Sequence, residues 1–150
     1  MKTKNTTFSE READVKATSR ISIGEYMRAT PVTIGRDRSV GEAIEKMREN
    51  DIRHLPVLHG GKLAGIVSER DLNLVRLTEG GERLKLEEVM NDVACTVPTE
   101  TALADVVGEM ASRKLGAALI VDRAGKVVGI FTAIDALQIL KEALISGRIP

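Results

Sequence analysis

The sequence predicts an α/β (α+β) fold built from two β-α-β-β-α units packed about a pseudo-two-fold axis, and three observations carry that prediction. GIVSERD at 65–71 is answered by GIFTAID at 129–135, each a glycine, two apolar residues, a hydroxyl residue and, three places on, an aspartate. One fixed offset lays Met27 on Met90 and Met47 on Met110, pairing four of the five methionines. The same offset lays VTI (32–34) on CTV (95–97), and one extra residue in DRAGK relative to HGGK then shifts it by one. Self-similarity of this kind marks a duplicated supersecondary unit.

Each unit justifies its elements in the same order. VTI and CTV are short β-branched runs and read as strands, with Cys95 in the strand that matches Val32. Val40, Ala43, Ile44 and Met47, and in the second unit Leu103, Val106, Val107 and Met110, recur at the spacing of one helical face. Ser39 followed by Glu42 predicts a capping box at the start of the first of these helices, because hydroxyl and carboxylate each satisfy an orphan backbone donor. Two apolar strands follow, LPVL and LAGIVS in the first unit, AALIV and VVGIFT in the second. The glycine-bearing turns HGGK and DRAGK join them as hairpins. A last helix opens at Ser68 or Thr132 and runs through LNLVRL or ALQILKEAL.

One unit alone, of roughly 55–60 residues, buries only about 60% of its unfolded surface, so two units packed face to face are expected. The organisation read from the chain is a polar arm or capping helix over 1–20, a first repeat over 21–78, a connector over 79–86, a second repeat over 87–145 and a tail over 146–150. With 22 basic and 22 acidic residues and only 2% aromatics, the chain has neither the positive excess nor the ring platforms that nucleic acid demands. No apolar run reaches the roughly 18 residues of a spanning helix, which points away from the membrane and towards the cytoplasm. Cys95, the single cysteine, has no internal disulfide partner and reads as a small apolar filler.

The doubled pattern of RHLPVLHGGKLAGIVSERDL and GAALIVDRAGKVVGIFTAIDAL, each after a YM or VM start and a helix, resembles a pair of CBS domains, known as a Bateman module. The resemblance covers about residues 21–145. It implies a stand-alone regulatory pair that binds an adenosine-containing ligand in clefts between the repeats, forms a homodimer, and acts on an effector protein the sequence does not name.

Ser68 and Thr132 stand where a helix N-cap would be, with Asp71 and Asp135 three residues on. One reading is a capping box, which stabilises by about 1 kcal/mol and needs no ligand. The other is a nucleoside clamp: a carboxylate accepts from both ribose hydroxyls, and the open helix start beside it favours phosphate. The family resemblance favours the second, assigning Asp71, Asp135, Ser68 and Thr132 to ribose. Arg70, Arg53 and His54 are the candidates for phosphate, Arg70 and Arg53 as forks of donors, and the matching places of the second repeat hold only Ile134, Gly116 and Ala117. The two sites are therefore expected to be unequal. By resemblance the adenine slots are lined by Thr30, Pro31, Val32, Leu55 and Pro56, and by Ala94, Cys95, Ala118 and Ile120.

An enzyme is not expected. The two histidines have no partners at metal-ligand spacing, and no nucleophile elbow or glycine-rich phosphate loop occurs, so neither catalytic nor metal residues are assigned. The reading is a regulatory CBS pair, with no cofactor, whose ligand is an adenine nucleotide, AMP, ADP or ATP. Its rivals are a structural dimerisation module whose aspartates only cap helices, and a binder of S-adenosylmethionine or NAD.

Overall fold

The computed structural model describes residues 21–92 and 94–147, so the arm expected over 1–20 lies outside the described residues. In chain order the strands are β1 (Arg28–Ala29), β2 (Ile34–Gly35), β3 (His54–His59), β4 (Lys62–Ser68), β5 (Thr96–Pro98), β6 (Ala117–Val121) and β7 (Val127–Thr132). The helices are α1 (Val40–Glu49), α2 (Glu69–Arg76), α3 (Leu86–Val89), α4 (Leu103–Ser112) and α5 (Ala133–Ser146). The Ser39–Glu42 capping box forms as expected, Ser39 Oγ accepting from Glu42 N–H at 3.1 Å and Glu42 accepting from Ser39 N–H at 2.8 Å. That backbone N–H is the main reason the Glu42 carboxyl titrates below its ordinary range.

Two sheets result, one of three strands in the order β2-β3-β4 and one of four in the order β1-β7-β6-β5. β2 and β5 run parallel to β3 and β6 because a helical crossover separates each pair, whereas the hairpins β3-β4 and β6-β7 are antiparallel. The opening strands start later than VTI and CTV suggested. Neither Val32 nor Cys95 is in a strand; Thr30 turns the chain with φ 52° immediately before Pro31, and pairing begins only at Ile34. Pro98 is tolerated in β5 because that strand is a sheet edge.

The repeats are interlocked through their leading segments. β1 of the first repeat pairs with β7 of the second, Arg28 opposite Ile130 and Ala29 opposite Gly129. In return, Asn91 bridges Ile66 of β4 through a pair of backbone bonds of 2.9 and 3.0 Å. Further out, Ser22 bridges Ala102 and Lys85 bridges Ser39, which are equivalent positions in the repeat. Fully buried Ile23 therefore packs with Val106, Met110 and Phe131 of the second repeat, and fully buried Leu86 packs with Val40, Met47 and Leu72 of the first. The stretch 79–86 carries a single 3-10 turn, Gly81–Arg83, and delivers Leu86 to that core.

The interlock also explains the glycine that opens each repeated heptapeptide. A Cβ on Gly65 would lie 2.6 Å from the Asn91 carbonyl oxygen and 2.9 Å from Met90 Sδ, and one on Gly129 would collide with the Met27 side chain. The paired methionines are thus the residues that cross over the paired glycines. A third apolar cluster lies between the sheets, where Ala117, Leu119, Val127 and Ile130 meet Leu58, Leu63 and Ile66. Each sheet is covered on both faces, which is why LPVL and ALIV are continuous apolar runs with little alternation.

Candidate functional site

Two clefts open between the repeats, one at the start of each final helix. The first, of about 510 Å³, is bounded by Ser68, Glu69, Arg70 and Asp71 at the start of α2, by Ala94 and Cys95, and by Lys114 to Ala117. The second, of about 660 Å³, is bounded by Arg28 to Val32, by Asp51 and Ile52, and by Ile130 and Thr132 to Ile134 at the start of α5. Arg53, His54 and Gly116 line both, so the clefts share a wall. That wall is asymmetric: Gly116 is the repeat equivalent of Arg53, and a Cβ on Gly116 would stand 2.8 Å from His54 Nε2. The imidazole therefore occupies space that a second bulky residue would need.

The two helix starts differ more than their sequences do. Ser68 Oγ accepts from Asp71 N–H at 3.2 Å, but the Asp71 carboxylate accepts no hydrogen bond and joins no ion pair from any described residue. Asp135 is engaged at both oxygens. Oδ2 accepts from Thr132 N–H and Thr132 Oγ1, each at 2.8 Å, completing the capping box. Oδ1 accepts from Arg28 Nε at 2.8 Å and lies 2.7 Å from Arg28 Nη2. The aspartate side chain is 12% exposed and that of Arg28 57%.

Charge is distributed accordingly. Around Asp71 stand Arg70, Lys114 and His54, with Arg53 paired to Glu69 at 3.6 Å across an exposed surface. Around Thr132 stand Arg28, Arg53 and His54, with Asp51 as an added carboxylate. Asp51 is the repeat equivalent of Lys114, and both adopt positive φ, 51° and 55°, in the tight turn that leads into the following strand. Burial lowers the pKa of His54; Asp71 opposes that shift and Arg53 adds to it, so the ring is neutral at neutral pH. Burial likewise pushes the Cys95 thiol up, with Arg113 pulling it back and Glu109 adding to the rise, which keeps it a thiol.

Of the residues expected at a site, Ser68, Arg70, Asp71, Ala94 and Cys95 meet in the first cleft, Thr30, Pro31, Val32 and Thr132 in the second, and Arg53 and His54 in both. Asp135 lies beneath the second, behind Arg28. Leu55, Pro56, Ala118 and Ile120, expected to line adenine slots, do so in neither cleft. Leu55 belongs to the first core and Ala118 and Ile120 to the second, and Pro56 is fully buried. Strand alternation accounts for the second repeat, where Ala118 and Ile120 share the face opposite to Ala117. Leu55 and Pro56 are successive residues of β3 and both are buried, and it is Ile66, Ala117 and Ile130 that reach the clefts. Besides the cations expected at the clefts, the interlock brings Arg28 to the second and the turn after α4 brings Lys114 to the first. Neither was legible from its own repeat. Among the described residues no cluster of three or more His, Cys, Asp or Glu is placed to hold a metal ion, and no helix is long and apolar enough to cross a membrane.

The comparisons with known proteins agree with this architecture. The profile of the CBS domain matches twice, over residues 23–76 and 86–142. Inosine-5'-monophosphate dehydrogenase of Korarchaeum cryptofilum is 36% identical over 104 residues, 69% of this chain but 21% of that protein. A CBS domain-containing protein of Dictyostelium discoideum is 26% identical over 83% of this chain and 94% of its own length. The chain thus spans about a fifth of one relative and nearly the whole of another. Among solved structures, AcuB of Vibrio cholerae, a candidate acetoin utilization protein, superposes with a TM-score of 0.74 at 30% identity over 83% of this chain and 93% of its own. The CBS domain pair of protein MJ0100, solved with 5-methylthioadenosine and S-adenosyl-L-methionine, gives a TM-score of 0.75 at 24% identity over 81% and 97%. With two interlocked repeats, two clefts between them and two matches to one family profile, the chain belongs to the CBS domain family as a pair of CBS repeats.

Proposed function

We propose that this pair is a regulatory module that binds an adenine nucleotide, AMP, ADP or ATP, chiefly in the first cleft, and signals occupancy through the shape of a homodimer. The observation that carries the reading is the uncommitted Asp71 carboxylate, at the start of α2, within a cleft that also presents Arg70, Lys114 and His54. A carboxylate accepts from two vicinal hydroxyls, and a guanidinium with an ammonium group in the same cleft suits a phosphate. The volume lies within the usual range of ligand sites, about 300–1,000 Å³. Structural neighbours are in keeping with it: one was solved with AMP and another with 5'-methylthioadenosine and S-adenosyl-L-methionine. In this reading Asp71 takes the ribose, Arg70 and Lys114 the phosphate, and Ile66, Ala94, Cys95 and Ala117 enclose the base.

Dimerisation is supported by α5, which buries no residue fully and leaves Ile134, Leu137, Leu140, Leu144 and Ile145 exposed. A ligand touching both repeats favours one relative orientation, and a partner that reads the dimer responds to that shift in population.

Thermal unfolding in the presence of AMP, ADP, ATP, NAD and S-adenosylmethionine tests the reading. A ligand at a hundredfold excess over its dissociation constant adds about 2.7 kcal/mol of stability. The expected outcome is a rise in Tm with an adenine nucleotide, the larger part of which Asp71→Ala removes. A rise with S-adenosylmethionine or NAD alone keeps the cleft and changes the ligand. No rise with any of the five makes the pair a structural module.

A further inference from the structure

The two aspartates differ because of one residue outside the repeated heptapeptide. Arg28 sits on β1, the strand that the first repeat lends to the second sheet, and its guanidinium meets Asp135 Oδ1 through Nε at 2.8 Å and Nη2 at 2.7 Å. It also lines the second cleft. The repeat equivalent of Arg28 is Asn91, which borders the first cleft with a neutral amide. The first cleft thus has a carboxylate open to a ligand, and the second has one already holding an internal cation.

We propose that Arg28 is the specificity-determining residue of the second cleft: it occupies Asp135 as an internal ligand and yields it only to a ligand that offers an anion in exchange. The inference rests on the reading of both clefts as nucleoside sites. A ribose hydroxyl approaching Oδ1 must displace a charge-assisted, two-point contact from a carboxylate that is 12% exposed. A bare nucleoside gives the released guanidinium nothing in return. A nucleotide gives it phosphate, for which Arg28 has the required fork of donors, with Arg53 on the shared wall to assist. Oδ2 stays with Thr132 throughout, so helix α5 keeps its cap while Oδ1 changes partner. The first cleft, where Asp71 has no cation to shed, accepts nucleosides and nucleotides alike. Adenosine therefore fills one cleft and AMP fills two.

Isothermal titration of the full chain with adenosine and with AMP, for the wild type, Arg28→Asn and Arg28→Gln, tests this. Asn copies the residue at the equivalent position, and Gln keeps more of the aliphatic stem. Arg28 is more than half exposed and β1 pairs through its backbone, so both variants are expected to fold, with Tm as the check. The expected result is one adenosine and two AMP bound by the wild type, and two adenosines bound by each variant. The second adenosine site should tighten by at least about tenfold, since an internal contact lowers the apparent affinity of a competing ligand by the fraction of time it leaves the carboxylate free. Two adenosines bound by the wild type overturns the proposal, as does one adenosine bound by both variants. One AMP bound by the wild type removes the exchange and overturns it as well. If neither ligand binds any of the three proteins, the underlying nucleoside reading falls and takes the proposal with it, whereas every other failing outcome leaves that reading standing.

Discussion

Ser68–Asp71 and Thr132–Asp135 begin equivalent helices with the same spacing, yet one carboxylate is open and the other is held by three donor groups from two residues. The difference originates neither in the hydroxyl nor in the aspartate. It comes from what the opposite repeat delivers, Arg28 in one case and Asn91 in the other. In an interlocked pair the chemistry of a motif is completed by a segment remote in sequence, so equal motifs need not make equal sites. The same asymmetry recurs at the shared wall, where Arg53 and His54 face their small equivalents Gly116 and Ala117.

The strongest way to break the comparison is to attack the interlock. Ile23→Ala and Leu86→Ala each empty a fully buried position in the opposite repeat's core, and each should cost about 2–5 kcal/mol by chemical denaturation. Because both cores depend on the exchange, either variant should still unfold in one transition; two transitions would mean that the repeats are stable separately. The crossing glycines come next. Gly65→Ala meets the Asn91 carbonyl oxygen as well as Met90, and is expected to cost about 1–3 kcal/mol, the range for overpacking. Gly129→Ala meets only the Met27 side chain, which a flexible thioether can move, and should cost less. Equal losses would place the strain elsewhere than the backbone.

A smaller effect separates the aspartates themselves. Without ligand, Asp135→Ala removes a complete capping box and should cost about 1 kcal/mol, while Asp71→Ala leaves the Ser68 bond to the backbone in place and should change Tm little. With AMP present the order reverses, since the loss of Asp71 removes the larger part of the ligand's stabilisation. A chain in which both substitutions cost the same with and without nucleotide would have two structural caps and no site.

Much of this was legible in the sequence because its signals are local. Val40, Ala43 and Met47 announced α1, Ser39 and Glu42 its cap, and HGGK and DRAGK their hairpins, since each depends on neighbours within one or two turns. The repeat itself was legible through Gly65, Gly129 and the paired methionines, though not the reason for them, which is a crossing of segments that the offset alone does not reveal. β1 was illegible: two residues, Arg28 and Ala29, carry no strand propensity, and their pairing with β7 is decided by tertiary contact. On β6 the adenine lining went wrong by one residue in phase. In a strand covered on both faces, Ala117 and Ala118 are equally apolar, and only the packing of the two sheets shows which of them turns to the cleft.

The smallest expected effect ties the shared wall to proton uptake. Burial holds His54 neutral in the folded protein, with its pKa below that in the unfolded chain, so the unfolded state binds the extra proton first as pH falls. Stability contributed by the neutral ring is therefore fully present above the unfolded value of about 6.5 and is lost as pH falls through it towards the folded value. Denaturation curves between pH 8 and 5 should show this slope for the wild type and a flatter one for His54→Gln. A bound phosphate acts in the opposite direction, because a dianion facing the ring favours imidazolium. AMP affinity should accordingly strengthen as pH falls from 8 towards the second phosphate pKa of about 6, below which the ligand loses its own charge, and His54→Gln should flatten both this rise and the stability slope. Loss of the stability slope alone would leave His54 a packed ring against Gly116; loss of both makes it the point where the wall between the clefts registers the phosphate.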